Sequence, residues 1–227
     1  MTLRRIARGL AVAALVVVAL LVLVAAVLER VPPPAPRHDD APAAGSEAGS
    51  AAGQAGGGVP ASWVRVGVGQ VSYAVPPAWS RRPAAERVAY REDGAVIASG
   101  RGQALRSVRG CPVAWAVLAD GVRSTNPAGV AEATALAWAR GYAGLPVGSG
   151  LRASRAAPVH GGVGWRSRVD VDLGDGTSCA GQRAELTAVA RPSGAEVVTL
   201  VVARYLDVPG GPSDAAYDGV VGSLAVE

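Results

Sequence analysis

The chain has no lysine and no phenylalanine, and among its 227 residues are only two histidines, two cysteines and one methionine. Each shortage removes some chemistry. Without lysine there is no phosphate-binding loop of the Walker type and no Schiff-base nucleophile. Beyond residue 59 the one histidine is His160, so imidazole can fill a single role in any acid–base site there. No stretch matches the G-x-S-x-G nucleophile elbow, which leaves "HGGVG" (160–164) without the partner an esterase oxyanion loop would need. The cysteines, Cys111 and Cys179, lack the C-x-x-C spacing of a redox pair and the company of a four-ligand zinc site. No metal site and no cofactor are expected.

Net charge is also scarce. The formal charge is +4, and residues 60–227 carry 17 arginines against 14 carboxylates without a clustered basic stripe. A scattered balance of this kind excludes a nucleic-acid partner, because phosphate binding needs concentrated charge. The exclusive use of arginine, with abundant Ala, Gly and Val, reads as the coding habit of a GC-rich genome.

Long apolar runs occur once. Residues 10–28, "LAVAALVVVALLVLVAAVL", follow Arg4, Arg5 and Arg8 of a basic N-terminal segment, residues 1–9. At about 1.5 Å per helical residue they span roughly 28 Å, close to a bilayer's hydrocarbon thickness. The expectation is an uncleaved transmembrane signal anchor rather than a removed leader, since no small-x-small cleavage site directly follows. The preceding arginines place the N-terminus in the cytoplasm and the C-terminal domain outside the cell membrane. Residues 29–59, rich in Pro, Ala and Gly, bury too little apolar surface to fold and read as a disordered tether. Such a tether reaches roughly 30 Å. The lipid bilayer is thus one expected partner, and a cell-envelope protein or ligand near the membrane is another.

Residues 60–227 have the length of one domain. "VSYAV" (71–75) alternates as a half-buried strand. "RVAYRE" and "AVIASG" flank Asp93-Gly94 as a hairpin, and "PVAWAVLAD" (112–120) reads as a central strand. From Asn126 and Pro127 to Gly144 the period becomes helical, with Val130, Thr134, Ala137, Trp138, Gly141 and Tyr142 on one face. A period of two returns in 162–173, 178–190 and 196–206, and a last helix capped by Ser213 carries the stripe Tyr217, Val220, Val221 and Leu224. This order of elements predicts an α+β domain, an antiparallel sheet flanked by helices.

"VSYAVPPAWS", "AWARGY" and "YDGVVGSLAV" together resemble the Mog1/PsbP-like α/β/α sandwich, and most of all membrane-anchored actinobacterial proteins of unknown function with such a domain outside the cell. The resemblance covers about residues 66–226. It implies a non-catalytic binding or accessory module, and it supplies no catalytic residues.

The remaining candidates have structural readings beside functional ones. Asp170, Asp172 and Asp175 approach a calcium loop, but Gly174 and Gly181 stand where ligands belong. Outward aspartates on a strand entering a turn explain the same letters. Trp79, Trp115 and Trp138 fit core packing, and Trp63 and Trp165 are open between the core and the edge of a ligand groove. Glu132, Asp214 and Asp218 fall at a helix start or on a polar helix face, where a solvated carboxylate makes a poor general acid. A binding module is the expected function, with an envelope hydrolase whose carboxylates meet only in three dimensions as the alternative. An oxidising compartment favours one disulfide, Cys111–Cys179, over free buried thiols. On the chain-entropy model it contributes about 4 kcal/mol. Protein from an oxidising compartment should therefore show no alkylatable thiol until reduced; two reactive thiols in the native protein would refute the pairing.

Overall fold

The structure is a computed structural model and describes residues 59–146, 148–159, 164–173 and 183–227. The anchor at 10–28 and the tether up to residue 58 lie outside this set. Among the described residues, no helix is long and apolar enough to cross a membrane.

The described residues form eleven strands and two helices in chain order. They are β1 (Val64–Val68), β2 (Val71–Val75), β3 (Ser80–Arg81), β4 (Arg87–Glu92), β5 (Ala95–Val108), β6 (Cys111–Arg123), α1 (Pro127–Ala143), β7 (Ala157–Pro158), β8 (Trp165–Asp172), β9 (Arg183–Ser193), β10 (Glu196–Tyr205), α2 (Asp214–Gly222) and β11 (Ala225–Val226). The large sheet runs β3-β5-β6-β10-β9-β8-β7, with β4 also on β5. A small sheet runs β1-β2-β11.

The centre of the large sheet is the β6–β10 pair, and alternation sends its side chains to two separate cores. Ala114, Ala116 and Leu118 of β6 join Leu200 and Val202 of β10 beneath the small sheet and α2. Trp115 and Val117 join Val201, Ala203 and Tyr205 beneath α1. Residues of both sets are buried. A strand covered on both faces reads as a continuous apolar run, which is why "PVAWAVLAD" stood out in the sequence.

Local signals explain the turns and caps. Asp93 and Gly94 both have positive φ, 49° and 81°, the geometry of a two-residue hairpin turn that matches strand twist. Arg109 and Gly110 repeat it between β5 and β6, at 53° and 79°. Asn126 caps α1 by accepting from the Gly129 amide at 3.0 Å, and Gly144 ends the helix in the left-handed conformation.

Tertiary hydrogen bonds fix the layers. The Tyr73 hydroxyl of β2 donates to the Gly102 carbonyl at 2.7 Å, where the β5–β6 register shifts. Buried Ser223 accepts from the Ala74 amide at 2.8 Å, tying the end of α2 to β2.

Two expectations are corrected. The described residues are 50% strand and 17% helix with two helices, a mostly β architecture. This overturns both the α+β assignment with flanking helices and the α/β/α sandwich implied by the resemblance. The face opposite α1 is covered by a second sheet together with the nine-residue α2. The cause is local. β1 and β11 are too short to show a period, and Arg101, Gly102, Gln103 and Arg106 interrupt the apolar pattern of the fourteen-residue β5. The buried stripe of α1 is Ala131, Ala135, Trp138 and Ala139, rotated from the expected face. Small alanines sit against the sheet, and Trp138 wedges between Tyr90 and Trp115, with centroids 5.5 and 5.6 Å away. The stripe of the last helix matches, with Tyr217, Val220, Val221 and Leu224 all buried.

Gly100 of β5 is packed so closely on β6 that a Cβ there would lie 2.4 Å from the Leu118 carbonyl oxygen, whereas a Cβ at Gly222 meets nothing within 4 Å. Gly100→Ala should destabilise by about 1–3 kcal/mol. Gly222→Ala should be neutral or stabilise by up to about 1 kcal/mol. Urea midpoints at constant m-value measure both, and equal effects would contradict the packing at Gly100.

Candidate functional site

The α2-side face of the large sheet is incompletely covered. α2 packs over β10 and β9, leaving the outward positions of β8 open beside it. The result is a cleft of about 620 Å³ between α2 and β8, closed at one end by the segment before β7.

Alternation in β8 points Ser167, Val169 and Val171 into the core beneath α1 and leaves Arg166, Arg168 and Asp170 exposed toward the cleft side. In β9 the same face carries Glu185 and Thr187, both buried, at 5% and 4% exposure. Glu185 lies directly across from Arg204 of β10 and from Asp170 of β8. Its Oε2 accepts from Arg204 at 3.3 Å and from Arg168 at 3.3 Å. The other branch of the Arg204 guanidinium reaches Asp214 at 2.5 Å. The guanidinium also lies over the Tyr217 ring, 4.3 Å from its centroid.

This cluster is electrostatically locked. Burial works against the charge on Arg204, but Asp214 and Glu185 outweigh it and hold the guanidinium above its ordinary pKa. Burial, the largest cause, pushes the Tyr217 phenol well above its usual range, so it stays protonated and donates to the Val202 carbonyl at 3.2 Å. The buried Nε of Arg204 has no hydrogen-bond partner. The hydroxyls nearby are committed as well: Ser167 donates to the Ser154 carbonyl at 2.7 Å, and the Ser154 Oγ accepts from the Arg168 amide at 2.9 Å. Glu132 of α1 accepts from the Ala156 amide at 2.7 Å and so holds the cleft-closing segment in place. The Ser154 and Ser167 hydroxyls of the cleft are thus engaged with backbone groups.

The expected site residues are dispersed. Asp170 and Asp172 project outward from β8. Trp79, Trp115 and Trp138 are buried in the cores. Trp63 and Trp165 are half-buried at core edges, and no tryptophan lines the cleft. Asp214 and Asp218 are exposed on α2, and that polar face looks into the cleft. Cys111 opens β6, and no described cysteine is a free thiol. Its expected partner Cys179, with His160 and Asp175, lies outside the described residues. Among the described residues, no three His, Cys, Asp or Glu side chains gather as a metal set.

Glu185 escaped the sequence reading. In "RAELTAVA" it occupies an alternate position like any surface carboxylate, and its burial depends on α2 and Arg204, which arrive from elsewhere in the chain. The faint signal was its company, since Thr187 and Val189 share its face.

Residues 58–226 match DUF8017, a domain of unknown function, and the chain belongs to that family. No curated protein matches. Among solved structures, a crystal structure from Bacteroides thetaiotaomicron VPI-5482 at 1.50 Å resolution matches 70% of this chain, with a TM-score of 0.36 and 10% identity. The chain spans 45% of that structure's own length.

Removing one partner of a buried, hydrogen-bonded ion pair strands the other charge. Glu185→Ala should therefore cost about 3–5 kcal/mol, whereas the double variant Glu185→Leu/Arg204→Met should recover most of it. Chemical denaturation of the single and double variants reads this directly. A Glu185→Ala variant as stable as the parent would refute the lock.

Proposed function

We propose that this protein is a non-catalytic binding module of the cell envelope, carried outside the membrane by the apolar segment 10–28 and the tether 29–59, and that the α2–β8 cleft holds its ligand. The observation that carries this reading is the commitment of Glu185. The buried carboxylate of the cleft accepts from two guanidinium groups at its Oε2, which ties it into the cleft floor. A carboxylate held between two guanidinium groups serves as a fixed hydrogen-bond acceptor that anchors both of them. The cleft volume falls in the range of small-ligand sites, and its polar lining suits a charged ligand better than an acyl chain.

The anchor fits a single-pass membrane protein with a cytoplasmic N-terminus and an extracellular domain. An oxidising exterior fits a Cys111–Cys179 disulfide that closes a long loop. The arginine-only basic complement and GC-rich composition fit an actinobacterial source among membrane-anchored proteins of unknown function.

The full-length protein incubated with envelope material should release no product, while protease added to intact spheroplasts should remove the domain. Turnover that disappears in Glu185→Gln or Asp218→Asn with the fold intact would replace the binding module with an envelope hydrolase.

A further inference from the structure

The free charges of the cleft are segregated. Arg204 is neutralised by Glu185 and Asp214, and Arg168 is shared between Glu185 and Asp170. Among the described residues, Arg155 and Arg166 on the β8 side and Asp218 on the α2 side have no ion-pair partner, yet all three line the cavity. One wall is therefore positive and the opposite wall negative, with Tyr217, Thr187 and Val221 between them.

This polarity discriminates among ligands. A simple polyanion would meet Arg155 and Arg166 favourably but would also face Asp218 and Asp214, and like charges brought together at a binding site act against that partner. A polycation meets the reverse conflict. A ligand with an anionic group at one end and a cationic group at the other satisfies both walls. Arginine also suits a carboxylate in particular, because its planar fork can donate two parallel hydrogen bonds.

The spacing bounds the length. α2 lies over β9 and β10, one to two strand spacings from β8, or roughly 5–10 Å. That separation is on the scale of an extended di- or tripeptide, which spans roughly 7–10 Å at 3.3–3.6 Å per residue. We propose that the cleft binds a short peptide with free termini, its carboxylate against Arg155 and Arg166 and its ammonium against Asp218. This assignment rests on the binding-module reading and names the ligand class for the same cleft.

The test is calorimetric titration of the full-length protein with trialanine, N-acetyl-trialanine, trialanine amide and inorganic phosphate. Free trialanine should bind, and blocking either terminus should weaken it about two- to fivefold, the scale of one solvent-accessible ion pair. Arg166→Ala should reduce the discrimination against the amide, and Asp218→Asn should abolish that against the acetylated peptide. Both side chains are exposed, so neither change disturbs the core, and unchanged denaturation midpoints check this. Equal binding of free and blocked peptides, no peptide binding, or an Arg166-dependent preference for phosphate overturns the ligand class. The phosphate result would leave a binding cleft standing. Cleavage of bound trialanine would do the opposite, keeping the ligand class and overturning the non-catalytic reading.

Discussion

The rest of the structure depends on burial of both faces of the β6–β10 pair. A sheet covered on one face alone would leave either Trp115 and Val201 or Leu118 and Leu200 in water, at about 1.5–3 kcal/mol for each large side chain. Two covers are therefore obligatory, and the chain supplies unequal ones. α1 spans 17 residues and crosses β8, β9 and β10. The other cover is assembled from β1, β2 and β11 with the short α2.

That inequality makes the cleft. A helix of nine residues is about 13–14 Å long and shields β9 and β10 without reaching across β8. Glu185 and Arg204 lie at the margin of its cover, too buried to be solvated freely and too charged to be left alone. Pairing them, with Asp214 and Arg168 as outer partners, satisfies a site that hydrocarbon could also have filled. Replacing such a pair by packed apolar side chains is often neutral or stabilising, so its presence here is better explained by the surface it presents than by stability. It gives the cleft floor a fixed, nearly neutral platform on which the unpaired Arg155, Arg166 and Asp218 define the field.

What was legible in the sequence were features set by one or two residues. The Asp93-Gly94 hairpin needs positive φ at adjacent positions, and the α1 caps need Asn126 and Gly144. Both are written in the local chain. The covering sheet was not legible, because β1 pairs with β2 over five residues and β11 adds only two, too little for a period. The α1 face was misplaced because Ala131, Ala135 and Ala139 carry weak hydrophobic signal while their small size is what permits close approach to the sheet. Glu185 was invisible for a different reason. Its environment is made by Arg204, Asp214 and Tyr217, and a carboxylate's burial cannot be inferred from its own strand. The arginines of the cleft were counted in the sequence as scattered, and β8, β10 and the segment before β7 gather four of them at one site.

Native-state hydrogen exchange resolved by residue tests the two-faced core most directly, since amides at the centre of cooperative structure open only with global unfolding. The slowest amides should lie in Val113–Leu118 of β6 and Leu200–Ala203 of β10, with β4, β7 and β11 exchanging faster. Maximal protection in the β1–β2 hairpin or the β4–β5 hairpin, with β6 and β10 exchanging through lower-energy openings, would contradict the account.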